Sequence, residues 1–216
     1  MVNAPPTIAA YLMSCAERRA VRSRTLADLA RTDWGAPPVV VLDRVASDDR
    51  KRRGSDTAHR LLELALDTPW DLLLFLEDDL EFNLHLRDAI EHWAPVVECP
   101  AAGHLFASLY NPNVAPLPGE VHGPTWFVAD PATSYGAQAY LVARPTVAYV
   151  LAHWDEGPGY HDIRMTRLAA RVTPLVYHRP SLVQHLAVRS TIGGVPHEAA
   201  DFDAGWRPLV GRGPRP

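Results

Sequence analysis

An unbroken apolar run, Leu72-Leu73-Leu74-Phe75-Leu76, stops at three consecutive carboxylates, Glu77, Asp78 and Asp79. A strand with one wet face alternates apolar and polar side chains, so a run that is apolar at every position must be covered on both faces. A mostly parallel sheet flanked by helices meets that requirement. The sequence before it repeats the pattern. Thr7 to Met13 is a second short apolar run, and Val39 to Leu42 is a third that ends at Asp43. Between these two, Arg22, Leu26, Leu29 and Ala30 recur at helical spacing until Gly35-Ala36-Pro37-Pro38 breaks the pattern. A further helix is predicted with Ser55 as its cap, Ala58, Leu61, Leu62 and Ala65 as its apolar stripe, and Pro69 past its end. Strands alternating with helices predict a doubly wound, Rossmann-like α/β fold.

The second half is less regular. Leu105 to Tyr110 and Gln138 to Val142 read as strands, and Asn111 to Ser134 as a long loop rich in Pro and Gly. Val147, Val150, Leu151 and Trp154 mark a helix after Pro145, and Ile163 to Ala170 marks another. Pro174 to His178 and Ser181 to His185 have the length of edge segments. The chain turns polar after Gly193-Gly194, and Gly211 to Pro216 has the composition of a frayed tail.

Several function classes fall away on composition. A net charge of -4, from 21 basic and 25 acidic residues, is the wrong sign for a protein whose main partner is nucleic acid. Lys51 is the only lysine, which leaves lysine nucleophiles and phosphate loops built on lysine without a supporting motif. No apolar stretch is long enough for an integral membrane segment. Leu12-Met13-Ser14-Cys15 has the look of a lipoprotein cleavage box, but residues 1–7 carry none of the basic residues of a signal peptide. A chain of 216 residues buries enough surface to fold without staples, so Cys15 and Cys99 are expected as free thiols in a reducing, cytoplasmic setting.

The carboxylates after Leu76 are where the chemistry concentrates. Open α/β sheets bind ligands at the carboxyl ends of their strands. Three adjacent acids there repel one another unless a cation relieves them, and hard oxygen ligands suit Mg²⁺ or Mn²⁺; a solvated acidic turn is the alternative. Arg50, Lys51, Arg52, Arg53 and Gly54 form a basic, flexible stretch that either clamps phosphate oxygens or stays solvated. Trp126, Phe127 and Tyr135 either stack on a bound ligand or anchor their own loop.

Three segments carry a family resemblance. The strand with its Glu-Asp-Asp triplet resembles the acidic metal motif of glycosyltransferases with the GT-A fold, in the form found in N-acetylglucosaminyltransferases. Gly159-Tyr160-His161-Asp162-Ile163-Arg164-Met165 resembles the segment that supplies the base in inverting members. Pro180-Ser181-Leu182-Val183-Gln184-His185, continuing to Arg189-Ser190-Thr191, is similar to a segment of the branching N-acetylglucosaminyltransferases and their bacterial relatives. Residues 111–135 match nothing in that family.

The resemblance implies one GT-A domain over residues 1–216. Residues 1–100 would form a nucleotide-binding half, 101–195 an acceptor and catalytic half, and 196–216 an irregular tail. It implies Asp79 and His185 as ligands of Mn²⁺ or Mg²⁺, although His185 taken alone, one of 10 histidines, reads first as a structural histidine and only the surrounding motif brings the two readings level. Asp78 would face the sugar or ribose, with Glu77 orienting its neighbours. Asp162 is the expected base, with Asp155 and Glu156 as rivals and a helix-capping role as its bland alternative. Ser14 with Arg18 or Arg19 would hold the base and phosphates, Asp43 the uracil or ribose, and Arg53 a phosphate. The activity implied is inverting, metal-dependent transfer of a hexosyl or N-acetylhexosaminyl group from a nucleotide-diphosphate sugar, foremost a UDP-sugar, to a carbohydrate or other hydroxyl acceptor. A nucleotidyltransferase making a nucleotide sugar is the alternative enzyme, although Ser14 to Arg19 lacks the glycines that class would show after its first strand. A non-catalytic sugar-nucleotide-binding module is the alternative outside enzymes.

Overall fold

The computed structural model describes residues 5–44, 49–99, 103–112, 125–186 and 197–208. Arg189-Ser190-Thr191, Gly193-Gly194 and the tail from Gly211 lie outside them, as does most of the loop after Asn111. The three apolar runs become strands β1 (Ile8–Ser14), β2 (Val39–Leu42) and β3 (Leu72–Leu76). They lie side by side and parallel in the order β2-β1-β3. Among the described residues, β5 (Phe106–Ser108), β6 (Trp126–Ala129), β7 (Ala139–Ala143) and β8 (Leu175–His178) complete one sheet of order β2-β1-β3-β7-β5-β8-β6. Five of these strands point one way, while β7 and β6 run against their neighbours. The expected mixed α/β, mostly parallel sheet is thus present.

All five side chains of β3 are buried, as a strand covered on both faces must be. Their alternation divides the core. Leu72, Leu74 and Leu76 join Leu12 and Leu141 under α1 (Arg19–Leu29), α3 (Leu86–Glu91) and α4 (Ala94–Val97). Leu73 and Phe75 face the other way with Tyr11, Tyr140 and Val142. They pack against α2 (Arg50–Leu66), α5 (Arg144–Ala152) and α6 (His161–Ala169). A second, two-stranded sheet pairs β4 (Leu80–Phe82) with β9 (Val183–His185), antiparallel, with Leu80 opposite His185.

Several local expectations are corrected. Helix α2 starts at Arg50, because the Asp49 carboxylate accepts the amides of Lys51 (3.0 Å) and Arg52 (3.1 Å); Ser55 lies inside the helix and is not its cap. The basic run Arg50 to Arg53 is therefore helical rather than a flexible stretch. The supposed loop between Asn111 and Ser134 contains strand β6, which pairs with β8, so Pro174 to His178 is not an edge. Strand β8 lies between β5 and β6 and is buried at every position. Helix α5 ends at Ala152, and Trp154 belongs to a separate 3₁₀ turn over Trp154–Glu156.

Candidate functional site

Register explains how distant residues meet. Strands β1 and β3 pair Ile8 with Leu72 through to Leu12 with Leu76, so Ser14 runs two residues on, to the level of Asp78. Ser14 is paired with Leu42 of β2 on its other side, and its carbonyl accepts the amide of Asp43 at 2.9 Å. Three parallel strands thus end together, and their terminal polar residues share one edge. The cleft at this edge holds about 540 Å³. Ser14, Arg18, Asp43, Arg53 and Asp78, each expected from the sequence to contact the donor, all line it.

Asp78 and Asp79 are both buried. Ser14 donates its hydroxyl to Asp78, and Arg22 on α1 holds that hydroxyl from behind at 2.9 Å. Arg18 spans the pair, with its Nε 2.7 Å from Asp78 and one Nη 2.6 Å from Asp79. Burial pushes the Asp78 carboxyl up to about 6, even though Ser14 and Arg18 both favour its ionised form. Thr25 fixes the backbone here, donating its hydroxyl to the Asp78 carbonyl (2.7 Å) and accepting the Leu80 amide (2.9 Å).

At the outer lip, Arg53 reaches back from α2 to Asp43 (2.6 Å) and to Glu17 (2.9 Å), tying the ends of β1 and β2 to the helix. The Glu17 carboxyl is held down at about 2, first by its own backbone amide and then by the bond from Arg53. Arg19 is the first residue of α1, and Arg18 is the one that reaches the acids. Lys51 lies 4.4 Å from the Tyr160 ring, and Arg52 is exposed beside Asp56, so of the basic run only Arg50 and Arg53 line the cleft.

His185 is delivered by pairing of β9 with β4, and its Nε2 stands 3.2 Å from the Asp79 carboxylate. Burial alone would lower the imidazole pKa, but Asp79 outweighs it and the pKa is raised. His197 stacks on His185 with ring centroids 5.2 Å apart, and Tyr110 donates its hydroxyl to the His197 carbonyl at 2.8 Å. Among the described residues no group of three or more His, Cys, Asp and Glu side chains converges to hold a metal ion. Asp79 and His185 do offer two adjacent donors, and the outer oxygen Oδ1 of Asp79 and Nδ1 of His185 are buried with no hydrogen-bond partner. Such a pair fits Mn²⁺ or Mg²⁺, which take few protein ligands and fill their shells with water and phosphate oxygens.

Asp162 occupies the first turn of α6, but Tyr160 is the N-cap and makes no side-chain cap bond. The Asp162 carboxylate instead accepts the amide of Gly136 at 3.0 Å, which removes the helix-capping reading. Gly136 has φ +87°, and a Cβ there would collide with the Gln138 side chain, so this turn requires glycine. Two residues on, the Gln138 carbonyl accepts the Glu77 amide at 2.9 Å. The same turn therefore links Asp162 to the acidic triplet. Glu156 is spent in an exposed pair with Arg171 at 2.5 Å, and Asp155 is exposed beside it.

Sequence reasoning missed His161, whose Nε2 lies 3.2 Å from Glu77 and whose ring is buried next to Asp162. It also missed Arg22 and Thr25. Their signal was faint but present, since Arg18, Arg22, Thr25 and Leu29 share one helical face. Trp126 and Phe127 anchor β6, Trp126 packing on the core and Phe127 stacking on Tyr177 at 5.5 Å. Tyr135 is exposed, edge-on to His197 at 5.7 Å.

No protein-family model matches this sequence, and no curated protein does. Among solved structures the chain is similar to that of a glycosyltransferase involved in the glycosylation of the major capsid of PBCV-1. The TM-score is 0.54 at 12% identity, over 85% of this chain and 96% of that one. The two proteins share a fold. No helix among the described residues is long and apolar enough to cross a membrane.

Proposed function

We propose that this chain is a glycosyltransferase that moves a sugar, hexosyl or N-acetylhexosaminyl, from a nucleotide-diphosphate donor, foremost a UDP-sugar, to a hydroxyl acceptor with inversion. The observation that carries the reading is the convergence of Ser14, Asp43, Arg53, Glu77 and Asp78 on one cleft at the carboxyl edge of three parallel strands, with Asp79 joined to Asp78 through Arg18. That crevice is where open α/β sheets take nucleotides, and the fold shared with a solved glycosyltransferase supports the same reading.

Asp43 and Ser14 would receive the nucleoside, and the guanidinium groups of Arg18 and Arg53 offer planar forks matched to phosphate oxygens. Asp79 and His185 would hold Mn²⁺ or Mg²⁺, which when bound offsets the negative charge that develops on the leaving diphosphate. Asp162 is the base that takes the acceptor hydroxyl proton as the new bond forms. Its bond to the Gly136 amide fixes one carboxylate oxygen and leaves the other to accept that proton.

A thermal-shift panel of UDP-, GDP- and dTDP-sugars, each with and without Mn²⁺, tests the donor, because a ligand that binds only the folded state raises its apparent stability. The expected result is the largest shift with a UDP-sugar plus Mn²⁺, followed by sugar transfer to a hydroxyl acceptor. A panel without any shift would overturn the reading.

A further inference from the structure

We propose that Arg18 is an internal counter-cation that competes with a divalent ion for Asp78 and Asp79, and that it transfers to the donor's diphosphate when ion and donor bind. Its consequence is cooperativity between metal and nucleotide. The inference rests on the nucleotide-diphosphate reading above.

The geometry supplies the argument. Two buried carboxylates on adjacent residues cannot both stay ionised without a nearby positive charge. The arginine fork supplies one, at 2.7 Å from Asp78 and 2.6 Å from Asp79, and both acids and Arg18 are about nine-tenths buried. On Asp79 the guanidinium and His185 both bind Oδ2, while Oδ1 has no partner. An ion approaching Asp79 therefore meets a carboxylate whose charge is already offset.

Releasing Arg18 without an anion to receive it is unfavourable here. Of the other described acids that line the cleft, Glu17 and Asp43 are held by Arg53 and Glu77 lies against His161. A diphosphate in the cleft that Arg18 lines provides the missing anion, with oxygens that suit the same fork. Each ligand then removes the obstacle to the other, and linkage makes the effect reciprocal.

The test compares Mn²⁺ binding, read by the EPR signal of the free ion, in the wild type and in Arg18→Met, each with and without UDP. In the wild type, UDP should tighten Mn²⁺ by about 5- to 150-fold, the usual span of coupling between two sites. In Arg18→Met, Mn²⁺ alone should bind at least several-fold tighter than to the wild type, and the coupling to UDP should shrink. Adding Asp79→Asn to that variant should abolish the gain. Equal Mn²⁺ affinity of wild type and Arg18→Met without nucleotide would overturn the proposal, as would a gain that survives Asp79→Asn. Should Arg18→Met fail to fold, Arg18→Gln removes the charge but keeps a polar side chain against the acids, and its Mn²⁺ affinity must exceed that of the wild type. The comparison in Mn²⁺ alone is independent of the donor. A wild type that binds no nucleotide sugar overturns the proposed function, whereas unchanged Mn²⁺ affinity overturns only the role of Arg18.

Discussion

Two buried histidines are driven in opposite directions by what faces them. Burial opposes the charged form of both. At His161 a carboxylate, Glu77, lies 3.2 Å away and outweighs it, so the imidazole pKa is raised. His178 has no such partner: its Nδ1 donates to the Pro180 carbonyl at 2.6 Å, its Nε2 is unpartnered, and Trp93 and Trp206 face its ring at 4.9 and 5.2 Å. Its pKa falls to about 4. The unfolded chain binds a proton at this residue below about pH 6.5, whereas the native state does not until about pH 4, so stability must fall as pH drops through that window. The loss amounts to roughly 3 kcal/mol if the whole window is crossed. Urea unfolding at a series of pH values should show this slope in the wild type and a flatter one in His178→Phe, which presents a ring of similar shape with nothing to protonate. Parallel slopes in the two proteins would show that the acid sensitivity arises elsewhere.

Helix α1 exists to hold the turn after β3 as much as to cover the sheet. Its Thr25 is fully buried, donating to the Asp78 carbonyl and accepting the Leu80 amide. Thr25→Val keeps the shape but leaves both backbone groups unpaired, which should cost about 1–3 kcal/mol of unfolding free energy for each group stranded without a partner. Thr25→Ser should retain most of the stability, and a Val variant as stable as wild type in urea would refute this account of the turn. What the sequence disclosed follows the same division between local and non-local causes. Strand β3 was legible because a strand covered on both faces must be apolar throughout, and β1 shares much of that cover; β2 kept the apolar run although, as the sheet's edge, it exposes Val39, Val40 and Leu42. The resemblance put Ser14, Asp43 and Asp78 in one site, and the shared edge of these strands is where the structure brings them together. Strand β4 was not legible, since Leu80-Glu81-Phe82 is a strand only through its pairing with residues 183–185, a hundred positions away. Strand β6 lies next to a Pro- and Gly-rich segment and owes its conformation to β8. The start of α2 was misplaced because the apolar stripe begins at Ala58, two turns inside the helix. Arginine and lysine support the earlier turns by propensity alone and leave no periodic mark. The contact of His161 with Glu77 depends on how α6 packs across the sheet from β3, which no local pattern encodes.

At the scale of the molecule, the proposed function gives the two halves of the sheet opposing tasks. The ends of β1, β2 and β3 present the hydroxyl, the carboxylates and the guanidinium groups that suit a nucleotide diphosphate. The start of α6 and the turn at Gly136, beyond β3, present Asp162. A leaving group held on one side and a base on the other favour attack in line with the departing diphosphate, which inverts the anomeric carbon. An α-linked UDP-sugar should therefore yield a β-glycoside, and the anomeric coupling in the proton NMR spectrum of the product reads this directly. Asp162→Asn supplies the matching kinetic test. The amide side chain still offers an oxygen to the Gly136 amide, so the fold and donor affinity should persist while turnover drops by roughly 10²- to 10⁴-fold, the usual contribution of a positioned base. An α-linked product would require either attack from the same face as departure or a covalent carboxylate intermediate, and Asp162 would then not have the proton-abstracting role argued here. Poor donor binding by Asp162→Asn would instead make the residue a brace for the turn at Gly136. A β-linked product made at full rate by Asp162→Asn would keep the inverting geometry and move the base elsewhere on the α6 side of the cleft.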